Sequence, residues 1–481
     1  RDPEMSRGLG DVYKRQGWEI LFMNIKDDFI ISELRDGYLV GGAVRDFLLG
    51  KTSYDRDIAI KNAGKFARKL AEKFDATFIT LDEEFEIYRL VLPDKLNYLD
   101  ISEIQGENIE DDLKRRDFTI NAIAYNLKND SFVDVTGGLE DLKKGVLRHI
   151  KDENFEEDPL RILRAFRFAA VTGFTMTPAL KTALRNYSML ALNPAPERIH
   201  YELMKLFGGK YASETLLLMD DFGLLENIFP CVNEMKRVPP NTHHHLDLFH
   251  HVVETVRQIE IAYSEAEPEI KEHLDNVDFG GFPRINHLKL AGFLHDIGKF
   301  STWTIEPSGR HRFIKHDDVG AKMVIPLLKQ WKFSKKQIDY ITCMIKNHIY
   351  PSNVIAAPDL NEKVMMRYIR KMGDNVIDNI VLARADRLSA RGIDVSEEMV
   401  SNNINGLKKL LNFYLEKRDT LKPLPKLLDG NEIMSMLDIQ PSPLLGDIVN
   451  ALFEAQLNGD ITSKSEAEKF VKDFYYESSF K

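Results

Sequence analysis

The chain has 481 residues, 43% hydrophobic and 29% charged, with a formal net charge of −10. That length exceeds what one hydrophobic core organises, so two to four domains are expected, and the composition excludes a disordered or fibrous chain. No stretch approaches the roughly 18–20 uninterrupted apolar residues of a membrane span and no secretory signal is recognisable, so a cytoplasmic protein without a membrane partner is expected. The only two cysteines, Cys231 and Cys343, lack a CxxC partner, which excludes a disulfide framework and a zinc-thiolate site.

In chain order, residues 1–22 are expected to be a non-native or disordered leader: they carry no apolar periodicity, and "SRGLGDVYKRQ" resembles a translated cloning or adaptor scar. From residue 23 strand-like and helix-like segments alternate. "GYLVGG" predicts a strand running into a turn, Ala43 to Leu49 a helix, "DRDIAI" a strand and Ala63 to Phe74 a helix, while "TFITLD", "YRLVLP" and "NYLDISE" read as further strands. Residues 23–150 are therefore expected to form an α+β unit with a small mixed sheet. Amphipathic helical patterns such as "DPLRILRAFRFAAVTG" and "ERIHYELMKLFGG" then take over. Breaks at "KRVPPNT" and "KRDTLKPLPK" divide the helical remainder into 151–240, 241–415 and a tail over 416–481.

The chemistry of the first unit is carried by "GGAVRDFLLGKTSYDRDIAI". Gly41 and Gly42 end a strand and open a helix, where backbone N–H groups approach a phosphate. Asp55 and Asp57, two apart on one strand, project to the same side and suit Mg²⁺, which takes carboxylate and phosphate oxygens. Asp100, at the end of a neighbouring strand, completes a two-metal arrangement and is expected to bind and help deprotonate an attacking hydroxyl. Asp117 and Asn121 are predicted as i, i+4 neighbours on a helical face, with Arg115 or Arg116 neutralising phosphate. On the later helix Asp158, Arg161, Arg164 and Arg167 recur every three residues as one polar stripe, opposite a packing stripe of Leu160, Ile162, Leu163, Phe166 and Ala169.

Together these segments resemble the class II CCA-adding enzyme and bacterial poly(A) polymerase family, whose opening signature is met at Gly41, Gly42, Val44, Arg45, Asp46, Leu48, Leu49, Gly50, Asp55 and Asp57. "RRDFTINAIAYN", "EEDPLRILRAFRFAA" and "PERIHYELMKL" follow in the family's order. The resemblance implies a polymerase-beta-like nucleotidyltransferase head over 23–150 and a helical nucleotide-selecting, RNA-binding neck over 151–240. It also implies tRNA, CTP and ATP as partners, Mg²⁺ as cofactor, and template-independent addition of C and A to tRNA 3′ ends. Base choice would fall to Asp158 and Arg161, whose acceptors and donors read the Watson–Crick edge in place of a template.

A different constellation follows in "FHHVVETV", "LAGFLHDIGKF", "RFIKHDDVG", "MIKNHIYP" and "ARADRLSARG". A His-Asp pair inside an apolar run is costly unless something satisfies both, and a metal would. Imidazoles with a carboxylate suit Mn²⁺, Fe²⁺, Co²⁺ or Ni²⁺, with Mg²⁺ accommodated. The set resembles the HD phosphohydrolase superfamily, whose ligand pattern falls on His251, His295, Asp296 and Asp386, with His250 as an alternative to His251 and with His316 and His348 for a second metal or phosphate. Lys299 is placed to neutralise phosphate; His243 to His245 read as structural or surface residues. An all-α HD domain over 241–415 with phosphatase or cyclic phosphodiesterase activity is implied, and the tail is expected to bind RNA or contribute to a homodimer. Between Asp57 and Asp100 the "HGT" element common in CCA-adding enzymes is missing, and "LDEEF…R" stands in its place. The product therefore stays open between full CCA, A only, CC only and poly(A), with a phosphohydrolase that merely docks RNA as the reading of another class.

Overall fold

The computed structural model describes residue 25 and residues 28–51, 55–358, 360–418 and 424–479; the predicted leader, half of the second proline-rich break and the side chain of Asp55 lie outside the described residues. Two compact units divide at Pro230/Cys231, with Gln330–Lys332 joining the first.

The first unit opens with a mixed seven-stranded sheet in the order β3-β4-β5-β2-β1-β6-β7. Its strands are β1 Tyr38–Val40, β2 Asp55–Ile60, β3 Thr77–Asp82, β4 Ile87–Val91, β5 Tyr98–Glu103, β6 Ile123–Asn126 and β7 Ser131–Asp134. β2 and β5 run parallel and every other neighbouring pair antiparallel. Helices α1 (Gly42–Leu48) and α2 (Ala63–Phe74) follow β1 and β2 directly. Alternation sorts β2 by face: Ile58 and Ile60 are buried with Arg56, and Asp57 points the other way. Arg56, inside the acidic pair of the sequence signature, is thus a core residue, and its Nε donates to Asp28 Oδ2 at 2.9 Å.

The helical half of this unit contains α3 (Leu160–Thr172) and α4 (Pro196–Phe207). The predicted packing stripe of α3 is buried, with Ala165 and Phe168 added to it. A short parallel pair, β8 (Val146–Leu147) with β9 (Thr175–Met176), precedes and follows α3.

The second unit is built on α5 (Leu248–Ser264), α6 (Arg284–Leu294), α7 (His316–Gln330), α8 (Lys335–Asn347) and α9 (Val376–Ser389). Every residue of α6 is buried, so it forms the central rod of the unit, and its one lysine, Lys289, is offset by Glu260 at 3.6 Å. The domain expected to be all-α is helical apart from one short hairpin, β10 (Trp303–Ile305) with β11 (His311–Phe313). Its turn is "EPSG", with Gly309 at φ +83°, a proline-glycine signal with alternating flanks that the helical reading passed over. The tail has its own small core around Ile433, Ile448, Leu452 and Val471. Among the described residues no helix is long and apolar enough to cross a membrane.

Candidate functional site

In the first unit a cleft of about 700 Å³ lies over the sheet. Its walls include Gly41, Gly42, Arg45, Asp46, Asp57, Arg116, Asp117 and Asn121 from the head and Asp158, Arg161, Arg164 and Arg167 from the helical half. Seven cationic and four carboxylate side chains line it, so a chain of net charge −10 carries a locally cationic pocket.

Gly41 shows why the opening motif needs glycine. Its φ is +69°, and a Cβ there would stand 3.1 Å from Arg116 Nη1 and 3.2 Å from Asp57 Oδ2. The bare backbone lets a cation and a carboxylate close in on one point of the floor.

Asp57 and Asp100 are register partners across parallel β2 and β5, and Arg89 is the partner of Asp100 on β4. Arg89 grips the Asp100 carboxylate in a bidentate pair, both contacts 2.7 Å, and lies 4.4 Å from the Tyr98 ring centroid. Arg89 is the arginine of "LDEEF…R", and its place opposite Asp100 depends on strand register.

Asp117 and Asn121 do meet, Asn121 Nδ2 donating to Asp117 Oδ1 at 2.9 Å, but the predicted helical face is corrected. Phe118 is extended and bridged to His149, and only Thr119–Asn121 turns, as a 3₁₀ segment. Burial works to raise the Asp117 carboxyl, yet Arg164, with bonds from Asn121 and the Phe118 N–H, holds it down at about 2. Asp158 is also outside the helix that was to carry it. It precedes Pro159, whose ring disfavours the helical conformation in the residue before it, and it is extended at φ −141°, ψ 94°. Its carboxylate takes a hydrogen bond from Arg198 Nη2 of α4 at 3.0 Å, while Arg161 donates to the Asn154 carbonyl at 3.1 Å. Arg164 and Arg167 meet buried Glu202 of α4 at 3.7 and 3.1 Å. Arg198, Glu202 and Lys205, spaced i, i+4 and i+7 in "PERIHYELMKL", were a readable signal that went unused.

The second unit gathers the predicted ligands from five helices. His251 Nε2 stands 3.2 Å from Asp296 Oδ2 and 3.2 Å from Asp386 Oδ1; His295 Nε2 is 3.2 and 3.5 Å from the same oxygens. Ligand atoms around one metal, with bonds near 2.1 Å, lie about 3.0–3.4 Å apart, so the spacing fits a cation at their centre. Asp296 Oδ1 faces a second group, His316 Nε2 at 3.3 Å and His348 Nε2 at 3.6 Å. The outer nitrogens are pinned: Nδ1 of His295, His316 and His348 donates to the carbonyls of Gly292, Phe313 and Ile345 at 2.7–2.8 Å, and His251 Nδ1 lies 3.2 Å from Ser389 Oγ. These contacts turn each Nε2 toward the common centre.

The inward atoms test the fit directly. Nε2 of His251 and of His295 and Oδ1 of Asp296 are buried without a hydrogen-bond partner, while Asp296 Oδ2 has the Lys299 ammonium at 2.6 Å. Buried polar atoms in such a cluster are costly unless a cation holds them. Burial opposes charge on His295, but Asp296 and Asp386 outweigh it and lift the imidazole to about 10; His348, mainly through burial, is pushed to about 4. Gly298 lets this centre close, since a Cβ there would run into the His316 carbonyl.

His250 is exposed and bonded to Asp247 at 2.7 Å, which leaves His251 as the inward residue. His244, in the cluster read as structural or surface, lies against the centre: its ring is 4.5 Å from that of His251, and its Nε2 is 3.3 Å from Lys299 Nζ, which in turn reaches Asp296 Oδ2 at 2.6 Å.

With this geometry in hand, three family descriptions match the chain: "Poly A polymerase head domain" over residues 37–148, "Probable RNA and SrmB- binding site of polymerase A" over 173–236, and "HD domain" over 248–391. The A-adding tRNA nucleotidyltransferase of Deinococcus radiodurans is 32% identical over 446 residues, covering 90% of this chain and 94% of the relative. The CC-adding tRNA nucleotidyltransferase of Thermus thermophilus is 30% identical over 450 residues, covering 92% and 95%. A solved Thermotoga maritima CCA-adding enzyme complexed with tRNA shares the fold, with a TM-score of 0.52, 23% identity and 91% of each chain covered. Head, RNA-binding segment and HD domain in this order, matched along nearly the whole length of such relatives, establish that the chain belongs to the tRNA nucleotidyltransferase family and is a nucleotidyltransferase that carries an HD domain.

Proposed function

We propose that the head cleft adds C, C and A to the 3′ end of tRNA, using CTP and ATP without a template. The observation that carries this reading is the cationic cleft itself, with Asp57 on its floor and Asp158 and Arg161 in its wall. The terminal 3′-oxygen attacks the α-phosphorus, the bond from that phosphorus to the bridging oxygen breaks, and pyrophosphate leaves with the bonding electrons. Asp55 and Asp57 would hold Mg²⁺, and Asp100, the register partner of Asp57 and steadied by Arg89, would accept the hydroxyl proton or a second ion. Mg²⁺ supplies Lewis acidity toward the triphosphate and the attacking hydroxyl. Arg116, Arg164 and Arg167 neutralise the triphosphate, Gly41 and Gly42 let the backbone approach it, and Asp117 with Asn121 fixes Arg164 and Arg45 around it. Asp158 and Arg161 read the base edge.

In the HD domain, His251, His295, Asp296 and Asp386 would hold one divalent cation, with Asp296, His316 and His348 framing a second or a phosphate. Mn²⁺, Fe²⁺, Co²⁺ or Ni²⁺ suits the imidazoles, and Mg²⁺ is accommodated. Such an ion supplies Lewis acidity to a phosphate ester and to the water that attacks it, which supports a phosphatase or phosphodiesterase activity. Lys299, with His244 behind it, is placed to meet the phosphate charge.

A second reading, addition of A alone or CC alone, is favoured by the names of the two relatives and by the absence of the "HGT" element before Asp100. Incorporation of each labelled NTP with Mg²⁺ into tRNA ending at the discriminator base, at C or at CC separates them. Two C and one A on the shortest tRNA is the expected result. A alone on the CC-ended tRNA, C alone, or long A tails would replace it with the A-adding, CC-adding or poly(A) reading. No incorporation would transfer the chain's activity to the HD domain.

A further inference from the structure

Helix α4 turns two different faces to its surroundings. Glu202 points inward, 2% exposed, and holds Arg164 and Arg167. Arg198, Tyr201 and Lys205 line the cleft. They stand at i, i+3 and i+7, so one stripe presents a cation, an aromatic ring and a cation in that order.

Tyr201 is 46% exposed, which leaves a large ring in water at the wall of a polar cleft. Lys205 Nζ lies 4.9 Å from the centroid of that ring, and among the described residues it has no carboxylate partner. Arg198, on the other side, is 3.0 Å from Asp158. The five remaining cations of the cleft already have partners: Arg45 has Asp46, Arg116 has Asp112, Arg161 has Glu157 and the Asn154 carbonyl, and Arg164 and Arg167 have Asp117 and Glu202. The stripe on α4 therefore adds an aromatic face and positive charge beyond what a triphosphate between Gly41, Arg116 and Arg164 would engage. Aromatic rings flanked by cations bind single-stranded nucleic acid, because every base offers a π-face and every linkage a phosphate.

We propose that Tyr201 is the stacking platform for the 3′-terminal base of the acceptor RNA strand, with Lys205 and Arg198 meeting the phosphates that follow it. This rests on the nucleotidyltransferase reading of the same cleft and specifies its acceptor subsite. The platform sits one helical turn from Arg198, and Arg198 holds Asp158. A terminal base stacked there would lie beside the base that Asp158 and Arg161 read, bringing the 3′-hydroxyl into the cleft with it.

The test uses the full chain, Ca²⁺ in place of Mg²⁺, and a tRNA minihelix carrying 2-aminopurine as its 3′-terminal base, whose fluorescence falls on stacking. Quenching on binding is expected for the wild type, with affinity lowered about tenfold and the quench lost in Tyr201→Ala. Tyr201→Phe, which keeps the ring, should recover most of the quench, and Lys205→Glu should weaken binding with a smaller salt dependence. A quench and affinity unchanged in Tyr201→Ala would overturn the proposal. So would a rise in KM for CTP or ATP with minihelix affinity unchanged, since the ring would then serve the incoming base. Incorporation assayed in parallel keeps the two levels apart: a tyrosine-dependent quench in a protein that adds no nucleotide would sink the proposed activity while leaving this subsite in place.

Discussion

The head cleft and the HD centre are both arranged for phosphate and metal, yet they handle charge in opposite ways. In the cleft most of the charged side chains are already matched, Arg164 by Asp117 and Arg198 by Asp158, with Arg89 gripping Asp100 on the sheet, and the pocket is open. In the HD centre Nε2 of His251 and of His295 and Oδ1 of Asp296 are buried without a hydrogen-bond partner, and Lys299 meets only the other oxygen of Asp296. A site whose residues satisfy one another is stable empty, and can exchange substrate, metal and product at every addition. A site that buries unpartnered ligand atoms around one point would gain stability from a cation held there. The difference separates a binding cleft from a resident centre without reference to the reaction either performs.

The sharpest way to break that comparison is to remove one carboxylate from each. Asp57→Ala is expected to lower nucleotide addition at least about a thousandfold while leaving phosphoester hydrolysis in place, and Asp296→Ala to do the reverse. Both rates are measured on protein whose circular dichroism matches the wild type. Loss of both activities in either variant would mean that the sites are not independent. A smaller effect follows in base choice. Asp158→Ala combined with Arg161→Ala should reduce discrimination among the four NTPs by about a hundredfold, since each lost bidentate-type contact to a base edge carries about 1–3 kcal/mol. Unchanged preference for C and A would remove the reading role from both residues.

Chelation probes the other half of the contrast. A cation bound at about a hundred times its dissociation constant stabilises a fold by about 2.7 kcal/mol, so stripping divalent ions should lower one unfolding transition by about 5 °C. Calorimetry on the intact chain should show the same drop in Asp57→Ala and none in Asp296→Asn. The opposite pattern would place the structural ion in the head.

How much of this was legible in the sequence follows the range of the signal. Period-2 alternation and the glycine pair gave the strands and their floor. The order of histidines and aspartates gave the HD centre, because each ligand announces itself by type. What depended on register or on a neighbouring helix did not show. Arg89 meets Asp100 only because β4 pairs with β5 in one register, and Glu202 takes its role from α3 packing on α4. Two local errors have local causes. Pro159 forces Asp158 out of the helix, and the Phe118–His149 bridge extends the chain where the spacing of Asp117 and Asn121 suggested a helical face. His244, the middle one of three consecutive histidines, carries no signal until Lys299 and His251 are beside it.

The smallest predicted effect tests whether the cleft is as self-satisfied as its ion pairs imply. Asp117 is buried and, despite that burial, is held at about 2 by Arg164 and its hydrogen bonds. A carboxyl whose folded value lies below its unfolded value binds more protons when unfolded. Its stabilisation is therefore fully present at neutral pH and fades as pH falls from about 4 toward about 2, by about 2 kcal/mol in all. Asp117→Asn removes the titration along with the charge. The stability gap between wild type and this variant, followed by urea unfolding, should be flat at neutral pH and narrow steadily below about pH 4. A gap independent of pH would mean that Arg164 takes its balancing charge from Glu202 alone, and that Asp117 is left for the substrate rather than for the wall of an empty site.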